Sequence, residues 1–197
     1  MKVALGFHAH SGWASLVVVG RRGSEIVIAS RRRVELVDDV CDKQPYHAAE
    51  HLAPQEARDA VARSIANAQA IAIREFRAAI AHEQARNNAV AACAVLVGSP
   101  MPAWTVDEIL AVHFRMHTAE GVLFRDVLIR ASRHCGIPSV EIPAKTLLSH
   151  AAKVLATPAA RLKTQVAALG KAAGPPWGKD QKDAALAALV ALRGTAS

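Results

Sequence analysis

Alternation of apolar and polar positions dominates the first forty residues. Lys2 to Ala9, Gly12 to Gly20 with its run Leu16-Val17-Val18-Val19, and Ser24 to Val37 each read as a strand. Only Gly, Ser or Arg-Arg-Gly separates them, which predicts two tight hairpins. A polar stretch follows over residues 38–53, and the period then changes. Pro54 stands at a favourable first-turn position for a helix. Behind it Val61, Ile65, Ala68, Ala72, Phe76 and Ile80 recur at spacings of three and four, so one face of a long helix is apolar.

Ala89 to Val97 is a short continuous apolar run closed by Gly98-Ser99-Pro100, the pattern of a strand buried on both faces. Thr105 with Glu108 three residues later forms a capping box. The helical pattern it opens extends to about His134, with an interruption expected near Gly121 and a stop at Gly136. Pro138 to Ile142 reads as another short strand. Helices are expected from Pro143, from Thr157-Pro158 to near Gly170, and, after the break at Gly174-Pro175-Pro176, from Lys179 to Leu192. Three meandering strands followed by strands alternating with helices predict an α/β fold: a mixed five-stranded sheet with helices on both faces. Its fourth strand, near Ala91 to Val97, should run parallel beside the first. The length of 197 residues suits one domain over 1–197.

Composition sharpens this picture in two respects. Apolar residues make up 52% of the chain but aromatics only 4%, so alanine must supply much of the core and the helices must pack closely. Net charge is +7, and its distribution is uneven. From Pro143 to Ser197 eight lysines and arginines stand against Asp180 and Asp183 alone. That asymmetry suits a polyanion, because neutralising phosphates releases condensed counterions. Cys41, Cys93 and Cys135 are odd in number and widely spaced, which argues against a disulfide framework and a thiolate zinc site and for reduced thiols. No signal-peptide pattern opens the chain and no membrane-length apolar run occurs, so the expected setting is the cytoplasm, without membrane partners.

Three local patterns carry a family resemblance. Gly6-Phe7-His8-Ala9-His10 closes the first strand. Glu120 to Leu128, then Cys135-Gly136-Ile137-Pro138, leads into the fifth. The most specific is Pro175-Pro176-Trp177-Gly178-Lys179-Asp180-Gln181-Lys182-Asp183-Ala184-Ala185, a proline-rich turn followed by a D-x-x-D-A helix. Together with the element order, these make the chain resemble RuvC-like Holliday-junction resolvases of the ribonuclease H-like superfamily. The resemblance implies a metal-dependent endodeoxyribonuclease using two divalent ions, usually magnesium, held by clustered carboxylates. Asp180 and Asp183, one helical turn apart, match two of those carboxylates. The chain departs at two positions: His8 replaces the strand-one aspartate, and Gly98 or Ser99 stands where a strand-four glutamate is expected.

The resemblance therefore implies a structure-specific endonuclease with a modified site, or one that has lost catalysis. Asp180, Asp183 and His8 are the candidate catalytic residues. His8 and His10 project from one strand face and, with Asp180 or Asp183, form a candidate ligand set for magnesium, manganese or zinc, with manganese accepting imidazole more readily than magnesium. Glu35 and Glu141 are the other carboxylates that could supply ligands. Lys145, Lys153, Lys163 and Lys179 are the candidate contacts to nucleic acid, branched or duplex DNA, and the resemblance leaves room for a homodimer. Two readings from other classes compete. One is a non-catalytic protein-interaction scaffold on the same fold. The other is a zinc hydrolase, since His47-Ala48-Ala49-Glu50-His51 matches H-x-x-E-H. His113 and His117 also stand four apart, a spacing equally expected of a helix with one wet face.

Overall fold

A computed structural model describes residues 1–195. β1 (Lys2–His10), β2 (Trp13–Arg22) and β3 (Glu25–Glu35) form an antiparallel meander. Its two hairpins turn on two-residue loops, Ser11-Gly12 and Gly23-Ser24. Gly12 and Gly23 take positive φ, +80° and +61°, where a side chain would strain the backbone. β4 (Ala89–Val97) pairs parallel with β1, and β5 (Ser139–Pro143) parallel with β4. The sheet order is β3-β2-β1-β4-β5. That order and polarity define a ribonuclease H-like fold, as expected.

The helices follow the sequence pattern with three differences. α1 (Pro45–Ala49) forms inside the stretch read as irregular, and α2 (Pro54–Ala85) follows. Between β4 and β5 the chain makes α3 (Val106–Leu110) and α4 (His113–His134). The break therefore falls at Ala111-Val112, where Val112 is extended (φ −141°, ψ 112°), and α4 passes through Gly121 without interruption. A mid-helix glycine costs only about 1 kcal/mol, and the ten buried residues of α4 outweigh it. Pro143 closes β5 opposite Val97 rather than starting a helix. A 3-10 turn over Ala144–Thr146 intervenes before α5 (Leu147–Val154), and α6 (Ala159–Ala173) and α7 (Lys179–Gly194) complete the chain.

The alternation of β1 assigns its two faces. Val3, Leu5 and Phe7 point into a core built with α1, α2, α3 and α4, where the Phe7 and Phe76 rings stack 5.0 Å apart. Ala4, with Ala92, Ala94 and Leu96 of β4, points into a second core built with α5, α6 and α7. The side chains on this second face are small, and Gly6 has none. A Cβ at Gly6 would overlap the Ala184 carbonyl, so α7 rests directly on β1. Residues Ala184 to Leu192 are all buried, the mark of a helix covered on every side. Alanine here does what the composition implied: it allows close approach.

Candidate functional site

Close packing of α7 on β1 creates the site. His8 and His10 follow Gly6 on the same strand face, so they point toward the first turn of α7, where Asp180 and Asp183 lie three residues apart. His10 Nε2 donates to Asp180 Oδ2 at 2.9 Å. His8 Nδ1 lies 3.5 Å from Asp180 Oδ1 and 3.8 Å from Asp183 Oδ2, and it is buried without a hydrogen-bond partner. Burial pushes the His8 imidazole below the usual histidine range; Asp180 opposes this, His10 adds to it, and Asp183 opposes it. Lys179 donates to Asp183, and that hydrogen bond raises the lysine's pKa.

The four residues expected to form the centre thus converge. Ligand atoms of His8, His10 and Asp180 lie within 4.8 Å of one another. A magnesium pair does not fit this donor set. Magnesium requires hard oxygen ligands, whereas the cluster offers two carboxylates, one held by a lysine and the other by a histidine. β4 contributes no acid either. At its end stand Gly98 and Ser99, with the Arg125 guanidinium of α4 beside Gly98. Glu35 and Glu141 stand elsewhere: Glu35 accepts from Arg33, and Glu141 lies 3.6 Å from Arg133. Two imidazoles and a carboxylate instead make a donor set for one manganese- or zinc-class ion.

Two further features surround the cluster. The His8 and His10 rings stack at 5.0 Å, His10 stacks on Trp13 at 4.3 Å, and the Arg33 guanidinium covers Trp13 at 3.8 Å. Flat groups therefore run without a gap from β1 to β3. On the other side of Asp183, a cleft of about 370 Å³ between α5, α6 and α7 is lined by Lys145, Lys163, Lys179 and Lys182. Three of the four lysines expected to meet nucleic acid belong to it. Lys153 is exposed on α5 away from the lining, and Lys182 takes a place the sequence reading did not assign. The signal for Lys182 was present: it lies three residues beyond Lys179 on one helix.

H-x-x-E-H is not a helical motif in this chain. α1 ends at Ala49, Glu50 is its carboxyl cap and His51 lies beyond it, so His47 and His51 do not share a helix face. His47 turns instead to α4, where its Nδ1 lies 2.9 Å from both Glu120 oxygens. The zinc-hydrolase expectation built on His47, Glu50 and His51 is set aside on that geometry. The thiols are free, and burial raises that of Cys93 to about 12. Among the described residues, no helix is long and apolar enough to cross a membrane.

The sheet order and polarity give the class of fold, ribonuclease H-like, closed by a helix that carries Asp180 and Asp183. Among solved proteins, the chain is similar to Thermus thermophilus RuvC, at 15% identity and a TM-score of 0.48 over 95% of this chain and 92% of that one. T. thermophilus RuvC in complex with a Holliday junction substrate gives the same identity and TM-score over 96% and 92%. No protein-family model and no curated protein matches the chain.

Proposed function

We propose that this chain is a RuvC-like nucleic-acid-binding protein that holds the phosphate backbone of branched or duplex DNA in its lysine cleft. In this reading it does not cut by the two-magnesium route. The observation that carries the proposal is the convergence of Lys145, Lys163, Lys179 and Lys182 on one cleft beside Asp183. Four lysines on the lining of one concave surface, of which Lys179 is paired with Asp183, attract phosphate regardless of base sequence.

His8, His10, Asp180 and Asp183 keep the position of a nuclease centre but not its charge. Asp180 and Asp183 are committed to His10 and Lys179, which leaves no carboxylate pair to bridge two hard cations. A single manganese- or zinc-class ion on His8, His10 and Asp180 is compatible with the donors and would anchor one phosphate oxygen. The test is binding of a labelled four-way junction and the matching duplex at about 50 mM salt, with incubation in magnesium to read cleavage. Binding to either DNA that weakens steeply with salt, at a slope of about −0.9 per phosphate neutralised, without cleavage, is expected. Undetectable binding to both, or rapid magnesium-dependent cutting, overturns the proposal.

A further inference from the structure

On the opposite face of the sheet lies a second cluster that binding of nucleic acid in the lysine cleft leaves unused. α1 contributes His47 and α4 contributes His113 and His117, and one ligand nitrogen from each lies within 4.8 Å of the others. His113 Nε2 and His117 Nε2 are 3.1 Å apart. Two nitrogens bound to one tetrahedral zinc at about 2.05 Å would be separated by about 3.3 Å, so the pair already stands close to ligand spacing. His47 completes the triangle, its ring centred 5.1 Å from that of His113 and 4.6 Å from that of His117.

The state of His47 identifies the kind of ligand expected. Glu120 is buried at 3% exposure, and both its oxygens lie 2.9 Å from His47 Nδ1. The backbone N–H of His47 donates to the same carboxylate at 3.2 Å. Glu120 thus fixes the tautomer with the proton on Nδ1, which leaves Nε2, beside the rings of the other two histidines, as the nitrogen with a lone pair to give. That Nε2 is buried with no hydrogen-bond partner. A carboxylate behind a histidine whose free nitrogen lies beside further imidazoles is the arrangement that orients metal ligands and raises their basicity. It also answers the charge question. The first turn of α4 carries no acidic residue and the positive end of the helix dipole, and Glu120 supplies the negative charge that would offset a dication.

We propose that His47, His113 and His117 bind one zinc-class divalent ion, with Glu120 as the positioning residue and the fourth ligand position open to solvent. Three neutral imidazoles are borderline donors that favour zinc, cobalt or copper over magnesium. The exposure of His113 and His117 leaves room for a water molecule. The bound ion would add a second tie between α1 and α4 beside the His47–Glu120 hydrogen bonds.

The experiment uses the full chain, stripped with a chelator and titrated with cobalt(II), whose visible absorption reports a tetrahedral site. The His8→Ala/His10→Ala variant, which removes the other candidate ligand set, should take up one equivalent with tetrahedral absorption and no thiolate charge-transfer band. Adding His113→Ala or His117→Ala to it should abolish that spectrum; both residues are exposed, and an unchanged circular-dichroism melt of the metal-free variants checks that they fold. Adding Glu120→Gln should keep the spectrum with affinity about 10- to 100-fold weaker. Absence of the spectrum in His8→Ala/His10→Ala overturns the inference, as does its survival when His117→Ala is added. DNA binding is read separately, so failure of either proposal leaves the other standing.

Discussion

The two faces of the sheet carry two histidine clusters built on different plans. On the α7 face, two histidines from one strand meet two aspartates from one helix, with lysines at the rim. On the α1–α4 face, three histidines meet one another and their carboxylate, Glu120, is buried behind them. Both plans leave an imidazole nitrogen buried without a hydrogen-bond partner, His8 Nδ1 in the first and His47 Nε2 in the second. The difference lies in the carboxylates: on the α7 face Asp180 and Asp183 are paired with His10 and Lys179, whereas on the α1–α4 face Glu120 backs His47, whose other ring nitrogen has no partner.

The contrast can be broken most severely at Gly6. A valine there drives a side chain into the Ala184 backbone, which cannot move without lifting α7 off β1. Overpacking commonly costs about 1–3 kcal/mol, and a backbone obstacle places Gly6→Val at or above about 3 kcal/mol, read as a lowered urea midpoint. His8 and Asp180 should separate in that variant while the α1–α4 cluster keeps its cobalt uptake. Equal loss at both clusters would show that the faces are not independent.

A smaller change sharpens the ligand argument. His8→Asp places a third carboxylate beside Asp180 and Asp183, and magnesium affinity measured calorimetrically should rise at least about tenfold, or ~1.4 kcal/mol. Cleavage should still be absent, because β4 ends on Gly98-Ser99 and supplies no carboxylate. Magnesium affinity unchanged by the substitution would show that the cleft has lost its metal-binding shape as well as its charge.

Two modest effects test the α1–α4 side. Thr105 accepts from the Glu108 N–H, and the Glu108 carboxylate accepts from the Thr105 N–H, a cap that starts α3 just before the histidines of α4. Thr105→Ala should cost about 1 kcal/mol in thermal unfolding without changing DNA binding. Cys93 sits under α4 with its thiol raised to about 12. At pH 8 a thiol reagent should label exposed Cys41 quickly and Cys93 only after denaturation. Rapid labelling of Cys93 in the native protein would mean that α4 opens readily.

The strands were legible because they are local: alternation, Gly-marked hairpins and one uninterrupted apolar run place all five. Asp180 and Asp183 were legible for the same reason, since a three-residue spacing on a helix needs no tertiary knowledge. The α3–α4 break was misplaced because Gly121 is a weak breaker inside a well-packed helix, whereas Val112 gives no compositional warning. His47 was misassigned because H-x-x-E-H is a spacing rule that presumes a helix, and α1 stops before His51. Its actual partner, Glu120, is 73 residues away. A signal for the second cluster did exist in the chain: His113, His117 and Glu120 fall at i, i+4 and i+7, three metal-site residue types on one helix face. Only the fold could bring His47 to them.

On the proposed reading, the lysine cleft, and no magnesium centre, makes this protein's contact with nucleic acid. The most direct measurement is the salt dependence of four-way-junction binding for the unaltered protein and for Lys145→Glu/Lys163→Glu/Lys182→Glu, by fluorescence anisotropy from about 50 to 200 mM salt. The expected result is a steep log–log slope for the unaltered protein. In the variant it should be shallower by about 0.9 for each phosphate no longer neutralised, with affinity weakened alike for junctions of unrelated base sequence. Equal slopes for the two proteins, or affinity that depends on Asp180 and magnesium but not on the lysines, would contradict it.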